Sequence, residues 1–195
     1  TIGDDNTFIG ASAGIKNNAG DYNTFVGSNA GIRMVSGVSN TFMGRSAGYF
    51  STGNYNVAVG ESAGYSLSSG ADNVMVGQGS GFNTQAGSQN VMIGGGSSGN
   101  VGAGYQNTSG KENTYVGYQS GKSATASDDN TAVGWKAGFT NTAADNTFLG
   151  SEAGLNVSTG TENVVVGRAA GKGDAGGATG NYNVVVGSNA AISLT

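Results

Sequence analysis

The apolar residues of this chain fall at a fixed phase. Eleven times the sequence reads Asn, then Thr or Val, then an apolar residue of any size, then an aliphatic residue or Met, then Gly. The copies begin at Asn6, Asn23, Asn40, Asn56, Asn73, Asn90, Asn113, Asn130, Asn146, Asn163 and Asn183. They lie 17 residues apart in most intervals, 16 in two, and 20 and 23 in two others. A fixed period of this length marks a repeat architecture, in which one small unit stacks on the next.

Numbering each unit from its Asn, position 2 is always Thr or Val, and position 4 runs Ile9, Val26, Met43, Val59, Val76, Ile93, Val116, Val133, Leu149, Val166, Val186. Residues two apart share one face of a strand, and β-branched side chains suit it. Positions 2 and 4 are therefore expected to face the core. A second short strand is expected over a run of small residue, Gly and larger residue, as in Ala47-Gly48-Tyr49 and Ala63-Gly64-Tyr65. A further Gly three residues before most of the Asn residues, such as Gly20, Gly37 and Gly53, reads as a turn of positive φ.

Two short strands per 17-residue unit predict an all-β fold, a parallel β-solenoid or β-roll of eleven rungs. Each rung would stand about 4.8 Å above the last. The pattern runs unbroken through residues 1–195, as one domain. The long intervals read as insertions, near residues 95–100 and 173–180. Loops absorb these at small cost, because closure entropy grows only with the logarithm of length. Helix is excluded by a Gly in every unit and by runs such as Val164-Val165-Val166.

Position 3 reads Phe8, Phe25, Phe42, Ala58, Met75, Met92, Tyr115, Ala132, Phe148, Val165, Val185. With positions 2 and 4 inside, this column points out, and an apolar stripe of that length calls for cover. The expectation is an interface with copies of the same chain, carried by Phe8, Phe25, Phe42, Met75, Met92, Tyr115 and Phe148. A second stripe runs through Ile15, Ile32, Tyr49, Tyr65, Phe82, Tyr105, Phe139, Leu155 and Ile192. The Asn column is expected to be buried and to pass hydrogen bonds from rung to rung, as amide ladders do in cross-β structures. A turn role alone would admit Asp, Gly or Ser somewhere in the column, and none occurs.

Composition sharpens this picture. Pro is absent, as a stack of hydrogen-bonded rungs requires. Cys and His are also absent, which excludes disulfides, thiolate chemistry, zinc sites of the usual kind and an imidazole base. Charged residues make up 10%, the net charge is -4, and the basic residues form no stripe, which argues against nucleic acid. No run approaches the roughly 20 apolar residues of a membrane span, and no signal peptide is visible. No nucleophile and base recur together, so no enzyme activity, catalytic residue or cofactor is expected.

Three features carry possible binding chemistry. The residue before the Asn is acidic at Asp5, Asp72, Glu112, Asp129, Asp145 and Glu162, the last four on consecutive rungs. A solvated acidic turn is the expected reading, and no calcium-roll motif accompanies it. Tyr118 and Trp135 hold the same turn position on neighbouring rungs, where an aromatic pair suits a sugar ring or a partner chain. Asn107-Thr108-Ser109 and Asn156-Val157-Ser158 match the glycosylation acceptor pattern.

The pattern Asn-Thr-Phe-Val-Gly followed by Ala-Gly resembles the repeats of YadA-type trimeric autotransporter heads and of phage and bacterial tail-fibre proteins. The resemblance covers the whole chain, although heads of that family usually have shorter repeats. It implies a left-handed parallel β-roll, three chains side by side, and an extracellular or cell-surface role. The functional expectation is a non-enzymatic extracellular fibre protein whose copies assemble side by side. A head-to-tail filament is also expected, since joining one chain's end to the next chain's Thr1 leaves 18 residues between Asn183 and the following Asn6. The alternative is an adhesin or tail-fibre head module binding a surface glycan or receptor. Ice binding is disfavoured, because Thr alternates with Val in the column expected to face the core.

Overall fold

The computed structural model describes residues 3–96, 99, 101–173 and 178–191. Eleven three-residue strands form it: β1 (Thr7–Ile9), β2 (Thr24–Val26), β3 (Thr41–Met43), β4 (Val57–Val59), β5 (Val74–Val76), β6 (Val91–Ile93), β7 (Thr114–Val116), β8 (Thr131–Val133), β9 (Thr147–Leu149), β10 (Val164–Val166) and β11 (Val184–Val186). They make one parallel sheet in sequence order. The pairing is in register throughout, with Thr24 beside Thr41, Phe25 beside Phe42 and Val26 beside Met43. The 23-residue interval leaves the register intact, since Val91 pairs Thr114 across it. The chain is a β-solenoid, as its period requires.

Among the described residues each rung contributes one strand, not the two expected, and outside these strands there is a single isolated parallel bridge, Val157 with Ala178. The run after the strand turns too sharply to be extended, because both Ser12 and Gly14 sit in the left-handed region, at φ 59° and 58°. The rungs still bond to each other there. Gly14 N–H donates to Ala30 carbonyl at 3.0 Å, and Gly31 N–H to Ala47 carbonyl at 3.0 Å. The residue before each Asn is a second left-handed corner, occupied by Tyr22, Tyr55, Asp72 and Glu112 among others. The expected positive φ of the preceding glycines is thus displaced two residues along the chain. Gly20 is required for a different reason: a Cβ there would collide with the Gly37 carbonyl oxygen of the next rung.

The faces of the strands are the reverse of the sequence expectation. Position 3 points inward, and Phe25, Phe42, Ala58, Met75, Met92, Tyr115, Ala132, Phe148 and Val165 are buried within the single chain. Phe8, on β1, is half-buried against the same cluster. Positions 2 and 4 point outward, with Ile9, Met43, Ile93 and Leu149 exposed. The column expected to meet a partner is therefore the core. Two further columns complete it, the small residues (Ala30, Ala47, Ala63, Ala103) and a third that includes Met34, Leu67 and Val157.

This core is filled by exchange between rungs. The rings of Phe8, Phe25 and Phe42 stack at centroid separations of 4.9 and 5.0 Å, close to the rung spacing. Below Phe42 the column shrinks to Ala58, and the Met75 side chain leans into that rung. A Cβ on Gly64, which belongs to the Ala58 rung, would lie 3.0 Å from Met75 Cε. The glycine after the small residue exists for this packing: a Cβ on Gly31 would lie 2.5 Å from the Phe25 ring. A flexible thioether fills irregular gaps in this way.

Candidate functional site

The most regular chemistry in the molecule is the Asn column. Asn73 Oδ1 accepts from Asn90 N–H at 3.1 Å and from Asn90 Nδ2 at 2.9 Å. Asn73 Nδ2 donates upward to Asn56 Oδ1 at 3.0 Å and to the Gly87 carbonyl at 2.9 Å. The same pattern joins Asn23 to Asn40, Asn40 to Asn56, Asn90 to Asn113, Asn113 to Asn130, and Asn146 to Asn163. Asn6 and Asn183, on the first and last described rungs, accept or donate within it too. Asp cannot donate, and a Ser hydroxyl carries one proton where Asn Nδ2 gives two, so the amide is required. At the Asn130 rung the pattern bends. Ala143 replaces the usual glycine there, and Asn141 Nδ2 donates to Asn130 Oδ1 at 3.0 Å and to the Ala143 carbonyl at 2.9 Å.

A second ladder runs down an exposed corner, twelve residues past the Asn in ordinary rungs. The hydroxyl of Thr52 donates to the Ser68 carbonyl at 2.7 Å, Ser68 to Gln85 at 2.8 Å, Thr108 to Thr125 at 2.9 Å, and Thr142 to Ser158 at 3.0 Å. The recurrence of Thr and Ser at this position was the signal in the sequence that could have revealed it.

Outside the ladders, each expected site residue can be placed. Tyr118 and Trp135 come together, with ring centroids 6.5 Å apart and planes 15° from parallel. Trp135 is 44% exposed, and Lys136 Nζ lies 4.5 Å from its ring centroid. The second stripe is a surface ladder of rings. Tyr49, Tyr65 and Phe82 stack at 4.9 Å steps, and Tyr105 follows at 5.5 Å. The faces of those rings cover one another and leave mainly edges to solvent. Ile192 and Thr1 lie outside the described residues, as do Ser97, Ser98 and Asn100 of the first insertion and residues 174–177 of the second.

The acidic column lies at the left-handed corner, where Glu112, Asp129, Asp145 and Glu162 follow one another at φ between 57° and 62°. The Glu162 carboxylate, through hydrogen bonding and its charge, raises the Tyr182 phenol above its ordinary range. Among the described residues no group of three or more acidic side chains is placed to hold a metal ion. Asn107 is fully buried, with its amide engaged by Gly110 N–H at 2.7 Å, so the folded chain presents no acceptor there. Asn156 is half-buried and donates to the Gly173 carbonyl at 3.3 Å.

The Thr of position 2 faces solvent, so the reason given against ice binding no longer holds. The Thr array is nonetheless broken by Val57, Val74 and Val91 and again by Val164 and Val184. Burial holds the Tyr115 phenol well above its ordinary range, opposed in part by Ser127 and Asn130, and its hydroxyl finds no well-formed hydrogen bond. No helix among the described residues is long and apolar enough to cross a membrane. No family model, curated protein or solved structure matches this chain.

Proposed function

We propose that this chain is a non-enzymatic structural rod, a length of extracellular or cell-surface fibre whose copies associate side by side. The observation that carries this reading is the Asn ladder. It ties each rung to the next from Asn6 to Asn183, through amides that are buried from Asn23 to Asn163, and commits the most regular polar chemistry of the chain to holding one shape. The likeness of its repeat to those of trimeric autotransporter heads and tail fibres agrees with such a role. Ten rung steps of about 4.8 Å give a rod about 48 Å long. Electron microscopy of purified protein, rotary-shadowed, tests this. Rods of uniform width, alone or bundled, are expected, and compact globules would overturn the reading.

The alternative, an adhesin head that binds a surface glycan, is favoured by one feature. Trp135 is 44% exposed beside Tyr118 and is braced by Lys136, which suits stacking on a sugar ring. Loss of glycan-array binding in Trp135→Ala, with unchanged melting, would support this role. An array with no signal for the unaltered protein would remove it.

A further inference from the structure

The outward face of the sheet takes no part in the core of the single chain, yet its composition is constrained. Positions 2 and 4 of the eleven strands contain no charged residue and, apart from Thr, no polar one. Nothing in the coil requires this. These side chains point away from the core, and an outer strand position otherwise accepts Lys, Glu, Ser or Gln. A contact running along the whole face needs a partner that repeats at the same rung spacing. A second copy of the chain has that spacing by construction.

The order of residues in the Thr/Val column selects how the copy lies. From β1 to β9 it reads Thr7, Thr24, Thr41, then Val57, Val74, Val91, then Thr114, Thr131, Thr147. This sequence is the same read from either end, with Val74 at its centre. We propose that the faces of β1–β9 pair in two antiparallel copies, with β5 of each on the twofold axis. The proposal rests on the lateral association proposed above and names a surface and register that would produce it.

In this arrangement position 2 covers position 2, so Thr meets Thr and Val meets Val across nine strands. Each Thr hydroxyl, at once donor and acceptor, finds another hydroxyl. A parallel copy turned about the rod axis would instead lay position 2 over position 4. Thr7, Thr24, Thr41, Thr114, Thr131 and Thr147 would then be buried against Ile, Val, Met and Leu side chains, with their hydroxyls unpaired. Position 4 also accommodates the antiparallel copy. Met43 falls opposite Val116 and Ile93 opposite Val59, while Val76 meets its own counterpart. Two of the larger side chains thus meet small ones.

Three of the five rim pairs suit this register. At the left-handed corner Tyr22 falls opposite Asp129, Ser39 opposite Glu112, and Tyr55 opposite Gln89, so hydroxyl donors face acceptors, whereas Asp72 meets its own counterpart and Asp5 meets Asp145 across a solvated edge. Tyr22 and Tyr55 are 64% and 58% exposed in the single chain. Such an interface is isologous and closes at two copies.

The chain lacks cysteine, so introduced thiols report without background. Val76→Cys, Val26→Cys and Val133→Cys are each treated with a short bis-maleimide, and the unaltered protein is sedimented over a range of concentrations. Circular dichroism confirms that each variant folds. The expected results are dimers of the unaltered protein, efficient cross-linking of Val76→Cys, and none of Val26→Cys alone. Two Val26→Cys thiols would lie six rungs, about 29 Å, apart. A mixture of Val26→Cys with Val133→Cys is expected to cross-link. Equal cross-linking of Val26→Cys and Val76→Cys would mean parallel copies and overturn the pairing while leaving lateral association standing. Association without cross-linking at any of the three would place the contact elsewhere and also overturn the pairing alone. A monomer at every concentration, including one that binds a glycan or shapes ice through this face, would overturn both the pairing and the side-by-side association, and leave the single rod standing.

Discussion

Asn73 Oδ1 accepts two hydrogen bonds from Asn90, one from its backbone and one from its side chain, at 3.1 and 2.9 Å. Replacing Asn73 by Ala would leave both donors of Asn90 and the Gly87 carbonyl short of a partner in a fully buried position. A loss of about 1–3 kcal/mol is expected, at the upper end because several groups are orphaned. Urea denaturation of Asn73→Ala against the unaltered chain measures it. Equal midpoints would show that the ladder contributes nothing.

Phe42 stacks on Phe25 at 5.0 Å and is fully buried in its own chain. Phe42→Ala is therefore expected to cost about 3–5 kcal/mol of folding stability. A surface interface residue would behave otherwise, weakening association while leaving the fold intact. Thermal melting and sedimentation of the same variant separate the two outcomes.

The rung period, the strand that follows each Asn, its register and the Asn ladder were all legible in the sequence. Each depends on a residue type repeated at one place, and in-register stacking turns that repetition directly into contact. Which side of the strand faces inward was not legible from alternation, because alternation defines two faces without ranking them. The deciding signals lay in the residues themselves. A Thr such as Thr24 or Thr131 in a tight core would have had an unpaired hydroxyl. The wide volume range of position 3, from Ala58 to Tyr115, is what a core tolerates when Met75 can reach across rungs. The second strand failed because the sequence does not announce a left-handed corner at Ser12 or Asn29, where no glycine marks it. The Tyr118 and Trp135 pairing was foreseen from their shared turn position, whereas the Thr52 to Ser158 hydroxyl corner was missed among many Thr and Ser residues.

Gly31 combines φ of 56° with a Cβ position 2.5 Å from the Phe25 ring. Gly31→Ala meets both backbone strain and a buried aromatic that has little room to move. A loss of at least about 2 kcal/mol is expected. Calorimetry of this variant beside Ala169→Gly provides a contrast. Ala169 sits at φ 52° without glycine's freedom, so relieving it is expected to raise stability by about 0.5–1 kcal/mol.

Tyr115 is buried with its hydroxyl unpaired, and its phenol is held above the ordinary range chiefly by loss of solvent. Tyr115→Phe is therefore expected to stabilise the chain by about 1 kcal/mol at neutral pH. The sign with pH follows from the raised value. Below the unfolded phenol's pKa of about 10 both states keep the proton, and above it only the unfolded chain releases it. Stability should fall as pH rises past that point, and the fall should be smaller in Tyr115→Phe. Unfolding followed at neutral and strongly alkaline pH checks both.

The central claim is that one continuous amide ladder holds the rungs in register. Hydrogen exchange of the Asn side-chain carboxamides, followed by NMR, reads it directly. The Nδ2 protons of Asn40, Asn73, Asn90, Asn113 and Asn163 are expected to exchange orders of magnitude more slowly than free amides, with their own backbone N–H groups similarly protected. Exchange of those side chains at the rate of free amides would contradict the account.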